Sequence, residues 1–168
     1  GFTYSEDTYC EGTNNIVPDI TGTSGGTFSA TGGLVIDAAT GEFDATTAGT
    51  FSITYNIIGN CPATNTFVVT VLPTVIIAVS ATETVLTIGQ NTQLTATGAT
   101  NYTWTSNPSL SCTDCANPVA TPTQTTTYTV SSEDACAEPA DITIVVNEGE
   151  PKQIIPNAFA QKGDGVNE

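Results

Sequence analysis

The chain has 168 residues, with 17 acidic side chains, two basic ones and no histidine, so its formal net charge is −15 at pH 7. That sign excludes binding to nucleic-acid phosphates and attraction to an anionic membrane surface. Hydrophobic residues make up 39% of the chain, too many for an acidic disordered segment, and no apolar run reaches the ~20 residues that span a bilayer.

The residue pattern predicts an all-β protein. Threonine accounts for roughly a fifth of the chain and alternates with Val, Ile, Phe and Tyr, and such residues at period two favour strands with one buried face. Gly-rich turns separate short strands, as in β-sandwiches. The predicted organisation is two tandem β-sandwiches, residues 1–72 and 74–147, followed by an extended C-terminal segment, residues 148–168. A chain that starts at Gly1 also favours a processed product or a fragment.

The strongest strand predicted in the first sandwich is Thr50–Ile58, which places Phe51, Ile53, Tyr55 and Ile57 on one face. The other strands predicted there are Phe2–Tyr4, Thr27–Ala30, Leu34–Asp37, Glu42–Asp44 and the closing strand Thr66–Leu72.

Pro73 marks a short junction to the second sandwich. The strands predicted after it are Val75–Ser80, Thr92–Thr97, Tyr102–Thr105, a short strand between Pro118 and Thr121, Thr126–Ser132 and Asp141–Asn147. Apolar alternation makes candidate core residues of Leu94, Ala96, Tyr102, Trp104, Tyr128 and Val130. A lone Trp in the middle of such a strand is typical of a core rather than of a ligand platform.

The five cysteines favour an oxidising compartment, and therefore an extracellular or cell-surface location, because small β modules with sparse cysteines are typical of such compartments. Without histidine, mixed Cys/His zinc sites cannot form. We expect a Cys10–Cys61 disulfide in the first sandwich, closing a loop of about 50 residues and stabilising it by ~3–4 kcal/mol in the chain-entropy model.

A small-loop disulfide between Cys112 and Cys115 is the first expectation for the second sandwich. The alternative pairs one of these two cysteines with Cys136. The odd cysteine is expected to be Cys136, either as a free thiol or paired between chains.

No motif in the sequence supports catalysis. The absence of histidine removes the Ser–His–Asp and Cys–His arrangements. Asp37 and Asp44 are the candidates for a glycosidase carboxylate pair, but both lie beside glycine turns and are more simply interpreted as turn formers. We therefore expect no enzyme activity, no catalytic residue and no cofactor apart from calcium.

The C-terminal segment combines two candidate sites. Its apolar run contains Ile154, Ile155 and Phe159, which could add as a strand to an exposed sheet edge of a neighbouring chain. Gly163–Glu168 offers Asp164 and Asn167 as oxygen ligands between flexible glycines and so resembles half of a calcium loop. A solvated turn is the alternative interpretation.

The run IIPNAFAQKGDGVNE resembles the opening of the gliding-motility-associated C-terminal domain of Bacteroidota surface proteins, whose consensus is close to PNAFSPNGDGVND. The match covers about 15 residues and departs from the consensus at Ala160, Gln161, Lys162 and Glu168. The upstream sandwiches are similar to the Ig-like and PKD-like repeats of large adhesins from the same bacteria. The matching runs are Gly25–Ser29, Leu34–Asp37, Thr40–Asp44, Gly49–Tyr55, Tyr102–Trp104, Leu110–Cys115 and Thr126–Val130.

This resemblance implies Ig-like β-sandwiches and export by the type IX secretion system. The expected function is that of an extracellular structural or adhesive repeat region, whose partners are other protein subunits or cell-surface components. One alternative is a filament subunit assembled by strand addition of the C-terminal segment. A second is a carbohydrate-binding accessory module of a secreted enzyme, with exposed aromatic side chains and an extracellular polysaccharide as the partner.

Overall fold

The structure is a computed structural model, and it describes residues 1–59 and 61–149. Every regular element in this part of the chain is a β-strand, so the all-β prediction is confirmed. The part described contains no helix that is long and apolar enough to cross a membrane.

The buried side chains form two separate clusters. The first, which defines the N-terminal module, contains Phe2, Tyr4, Ile16, Phe28, Leu34, Phe43, Ala45, Phe51, Ile53, Tyr55, Val69 and Val71. The second, which defines the C-terminal module, contains Ile77, Leu86, Leu94, Ala96, Trp104, Ala120, Tyr128, Val130 and Ile144. The chain passes from one cluster to the other between Val71 and Ile77, near the junction predicted at Pro73.

The N-terminal module contains two sheets. Its strands are β1 (Phe2–Thr3), β2 (Thr8–Cys10), β3 (Asp19–Ile20), β4 (Thr27–Ala30), β5 (Gly49–Ile57) and β6 (Ala63–Leu72). One sheet has the order β2-β6-β5-β4, with β2 parallel to β6, and the other pairs β1 with β3. The Phe2 ring lies edge-on to Phe28, with ring centroids 5.2 Å apart, so the two sheets meet through aromatic contacts.

The β5–β6 hairpin shows why the alternating pattern specifies this fold. The two strands pair without interruption from Gly49↔Val71 to Ile57↔Ala63. Because directly opposite residues share a face, Phe51 and Val69 point into the core together. Thr54 and Thr66 lie opposite each other on the outer face, with their hydroxyl oxygens 3.4 Å apart.

The strands predicted at Leu34–Asp37 and Glu42–Asp44 are not continuous strands in the structure. Only isolated bridges form there, between Phe43 and both Ile36 and Ile16. The Asp37 carboxylate accepts hydrogen bonds from the backbone N–H groups of Ala39 and Thr40, at 2.9 and 2.7 Å. This local turn competes with a sheet ladder, which is the usual effect of an Asp side chain at such a position.

The C-terminal module is built from two larger sheets, and a two-stranded pairing at its edge. Its strands are β7 (Val75–Ile76), β8 (Ala78–Ala81), β9 (Val85–Thr87), β10 (Thr92–Thr97), β11 (Thr103–Trp104), β12 (Val119–Ala120), β13 (Thr126–Ser131), β14 (Ala137–Glu138) and β15 (Ala140–Asn147). The sheet orders are β12-β10-β8 and β11-β13-β15-β9, and β7 pairs with β14.

The distribution of strands between the two sheets of the C-terminal module is that of an Ig-like sandwich. Strands β8, β10 and β12 form one layer, and β11, β13 and β15 form the other, with β9 parallel to β15 at its edge. Trp104 on β11 is buried with only 1% of its surface exposed, at the position where Ig domains carry their core Trp. The sheet β2-β6-β5-β4 of the N-terminal module repeats this connectivity, because an early strand again runs parallel to the last one.

The chain enters and leaves the pair of modules at opposite ends. Phe2 packs against Tyr55 and Phe67, whereas β6 continues from that end toward Leu72 and the junction. Strand β15 begins at Ala140, beside the junction, and ends at Asn147. Each of these strands advances by about 3.3 Å per residue, so both ends of the described chain lie on the order of 20 Å from the junction.

Replacing Ile53 with Ala should lower the free energy of unfolding of the N-terminal module by ~2–5 kcal/mol, because Ile53 is fully buried and its truncation leaves a cavity. Chemical denaturation measures the change. The matched control is Val68→Ala on the outer face of the same sheet, where 53% of Val68 is exposed; its cost should stay within about 0.5 kcal/mol. Equal costs for the two substitutions would contradict the assigned core face.

Candidate functional site

The most distinctive site in the described chain is the joint between the two modules. A disulfide connects Cys10, at the end of β2, to Cys136, which directly precedes β14, with a Cα–Cα distance of 5.5 Å. Backbone bonds surround it: Glu11 N–H donates to Leu72 O at 2.9 Å, and Val75 N–H donates to Cys136 O at 3.0 Å. The joint therefore has one covalent connection, with a backbone hydrogen bond beside it in each module.

On the N-terminal side, the turn that follows Cys10 is held by several hydrogen bonds. The Thr13 N–H and hydroxyl both donate to Cys10 O, at 3.1 and 2.8 Å. The Glu11 carboxylate accepts the Ala48 N–H at 2.8 Å. The Thr74 hydroxyl donates to Glu11 O at 3.4 Å, which connects the inter-module segment to the same turn. These contacts hold Cys10 in a defined position facing the second module.

On the C-terminal side, the Cys136 loop is held by the neighbouring loop that contains Thr100 and Asn101. The Asp134 carboxylate accepts the Thr100 hydroxyl and, at 2.6 Å, the Thr100 N–H. The Asn101 side-chain oxygen accepts the Glu133 N–H at 2.9 Å. These hydrogen bonds, with the Thr100 hydroxyl contributing most, hold the pKa of Asp134 below its ordinary value.

The backbone at the joint is tightly constrained. Cys136 has φ 63°, in the left-handed region that non-glycine residues rarely adopt. Gly98, at φ +100°, approaches the joint so closely that a β-carbon there would lie 2.2 Å from Ile76 O. Only glycine fits this position. Strand β7 then pairs in parallel with β14, Val75 opposite Ala137 and Ile76 opposite Glu138.

The expected Cys10–Cys61 pairing was wrong. Cys61 follows the far end of β5, at the end of the module opposite the joint, and it is an exposed free cysteine. Cys10 instead lies at the joint end of β2, opposite Leu72 in the register. A disulfide requires Cα atoms within about 7 Å of each other, so Cys10 pairs with Cys136 across the joint. The free cysteine is therefore Cys61 and not, as was expected, Cys136.

The second disulfide joins Cys112 and Cys115, which are three residues apart. Its loop covers the buried Trp104. The Trp104 backbone N–H donates to Thr113 O at 2.7 Å, and the indole Nε1–H donates to Cys115 O at 2.8 Å. The loop thus accepts both the backbone N–H and the indole N–H of Trp104, the largest core residue of this module, a role that the sequence pattern did not reveal.

The candidate residues of the C-terminal segment lie outside the described residues. These are Asp164 and Asn167, the candidate calcium ligands, and Ile154, Ile155 and Phe159, the candidate assembly residues. Between residues 1 and 149, excluding position 60, no group of three or more Cys, Asp or Glu side chains is placed to hold a metal ion.

Asp37 and Asp44 both border a shallow depression of about 440 Å³, but each carboxylate is used as a backbone acceptor. Asp44 accepts the Asn15 N–H at 2.8 Å, and hydrogen bonds from Thr40 and Ala39 lower the pKa of Asp37. A larger open depression, of about 640 Å³, lies at the outer end of the C-terminal module. It is lined by Asn, Pro, Ser, Thr and Gln only, which offer no general acid or base.

The aromatic side chains of the described chain do not form an exposed platform. Phe2, Tyr4, Phe28, Phe43, Phe51, Tyr55, Trp104 and Tyr128 are buried, and Tyr9, Phe67 and Tyr102 are half-buried. Sugar rings stack on exposed aromatic faces, which these residues do not supply. The described surface therefore gives no support to the carbohydrate-binding alternative.

Comparisons with known proteins found no matching family model and no matching curated protein. Among solved structures, murine CEACAM1b has a TM-score of 0.38 and 12% identity, over 88% of this chain and 100% of that one. An amphioxus IgVJ-C2 molecule has a TM-score of 0.35 and 12% identity, over 82% and 99% of the two chains. The Yersinia pseudotuberculosis adhesin InvE has a TM-score of 0.30 and 17% identity, over 85% and 58%. These TM-scores are below 0.5. The fold assignment therefore rests on the strand pairing and burial described above and not on these similarities.

Alkylation of the unreduced, denatured chain should modify one thiol, at Cys61, because the other four cysteines form two disulfides. Intact-mass spectrometry counts the adducts, and peptide mapping locates them. Cys61→Ser should give no adduct. A Cys10 adduct in the wild-type chain would contradict the pairing across the joint.

The chain should lose stability as the pH falls below about 4, with Asp134 as one contributor. A carboxyl whose folded pKa lies below the ordinary 3.8 stabilises the fold above that value, and this contribution is lost as the pH falls through the folded pKa. Denaturation midpoints measured from pH 7 down to pH 2 should fall less steeply for Asp134→Asn.

Thr100→Val is the matched variant for this pH dependence, because it removes the hydroxyl donor and keeps the side-chain shape. It should raise the pKa of Asp134 toward its ordinary value and likewise flatten the acid limb. If neither substitution changes the acid limb, Asp134 is not a contributor.

Proposed function

We propose that this chain is a non-enzymatic structural and adhesive repeat region of an extracellular bacterial cell-surface protein. The observation that supports it most strongly is the covalent joint. Two β-sandwiches connected in series are also joined by the Cys10–Cys136 disulfide. A joint of this kind holds two consecutive modules at a set distance from each other, which is what a stalk or spacer requires.

Two further observations support an extracellular location. The described chain contains two disulfides, and disulfides persist in oxidising compartments. No Lys or Arg precedes Lys152, so proteases that cleave after basic residues have no target in either module. Both features suit a protein that is exposed to the environment of the cell.

The proposed partners are other protein subunits or components of the cell surface. The resemblance of residues 156–167 to a gliding-motility-associated C-terminal domain supports export of the parent protein by type IX secretion. The alternative of a filament subunit depends on Ile154–Phe159, outside the described residues, and stays a prediction.

Antibodies raised against residues 1–149 should bind intact cells of the source bacterium as strongly as permeabilised ones. An antibody to a cytoplasmic protein is the control and should bind only after permeabilisation. Pepsin digestion without reduction, after lysis into an alkylating reagent, should give a cross-linked Cys10–Cys136 peptide. Recognition only after permeabilisation, with Cys10 and Cys136 both alkylated, would overturn the extracellular assignment.

A further inference from the structure

The Cys10–Cys136 disulfide lies between the two places where the chain enters and leaves the modules. The chain enters near Phe2, at the end of the N-terminal module away from the joint. It leaves at Asn147, at the outer end of the C-terminal module. Tension applied to the two ends of the described chain therefore acts in opposite directions across the joint.

The disulfide gives that tension a short covalent path. From Cys10 the path crosses directly to Cys136 over a Cα–Cα distance of 5.5 Å, although 126 positions separate the two residues in the sequence. The backbone between them is a closed loop that contains most of both cores. Once the bridge is under tension, the ends of this loop cannot be pulled apart.

We propose that the Cys10–Cys136 disulfide is a mechanical bypass that carries tension from one end of the two-module unit to the other and prevents both sandwiches from being extended. The inference is about force transmission and depends on where the bridge lies in the chain. Both cysteines lie beside the joint. Residues 1–10 reach Cys10 from the outer end of the N-terminal module, and residues 136–149 run from Cys136 to the outer end of the C-terminal module.

The two segments outside the loop, residues 1–10 and 136–149, can extend only slightly under tension. Residues 1–10 contain β1 and β2, and residues 136–149 contain β14 and β15. Strands already advance by about 3.3 Å per residue, close to the ~3.3–3.6 Å limit of a stretched chain. Pulling these segments out of their sheets therefore lengthens the unit only slightly.

The outgoing strand is also well held along its axis. Strand β15 pairs with β13 over five residue pairs, from Thr126↔Ile144 to Val130↔Ala140, and with β9 over three. Tension from the joint to Asn147 acts along β15, so these hydrogen bonds resist it together rather than opening one at a time. The non-covalent and covalent connections thus bear the load in the same direction.

This inference deepens the proposed function, because a stalk is subject to tension, and it rests on that proposal only for its biological setting. The purified chain tests the bypass directly. A chain that shows the bypass but is found inside cells would overturn the proposed function alone. A surface protein whose oxidised modules extend fully under force would overturn the bypass alone.

The test is single-molecule force spectroscopy on the full 168-residue chain, held by tags at its two ends, in a Cys61→Ser background that avoids cross-linking between chains. Without reductant, unfolding should release none of the length between residues 10 and 136. Addition of a dithiol under load should reduce the bridge to two thiols while the dithiol becomes a disulfide. The extra length should then be on the order of 400 Å, for 126 residues at about 3.5 Å each.

The paired Cys10→Ser and Cys136→Ser substitutions should release the same length without a dithiol. The matched control replaces Cys112 and Cys115 with Ser, because that disulfide lies inside the loop between residues 10 and 136. With the Cys10–Cys136 bridge intact, its loss should add no length. If the bridge variant fails to fold, the comparison of oxidised and dithiol-treated chains decides alone. Steps near 400 Å from the oxidised chain, or no gain after reduction, would overturn the bypass.

Discussion

The chain before Lys152 contains no basic side chain, and this constraint determines how its many carboxylates are used. In place of ion pairs, acidic side chains accept backbone N–H groups at loops. Asp44 receives the N–H of Asn15, Glu11 that of Ala48 and Asp134 that of Thr100. Hydrogen bonds to a charged acceptor are stronger than neutral ones. In the described residues no buried side-chain nitrogen or oxygen is left without a partner.

The joint depends on the same kind of contact. The carboxylate of Asp134 holds the loop that carries Cys136, and the carboxylate of Glu11 holds the turn that follows Cys10. These loops bring two cysteines within bonding distance although each belongs to a different module. Next to Cys136, strand β14 pairs with β7, and Gly98 closely approaches Ile76 of β7. The hydrogen bonds that position the two cysteines therefore also lie along the proposed load path.

Much of the fold follows from local patterns in the sequence. The long hairpin of β5 and β6, strand β10 and the burial of Leu94, Ala96, Trp104, Tyr128 and Val130 agree with predictions from period-two alternation. Strands β2, β3, β9 and β14 were not predicted. Two or three residues are too few to show a period, and these strands exist because a neighbouring strand is available to pair with them. Leu34–Asp37 shows the reverse case, in which a turn formed by Asp37 interrupts an apparently good strand.

The sequence by itself determined the all-β class, the two cores and the surplus of negative charge, because each depends on composition or on spacing between near neighbours. Only the tertiary structure decided which cysteines pair. Cys10 and Cys61 were expected to bond because they lie in the same module, but they lie at opposite ends of it. Disulfide formation depends on distance in space and not on membership of a module. The packing of one sandwich against the next brings Cys136 to Cys10. The distance between these two residues cannot be predicted from the local sequence pattern of either module.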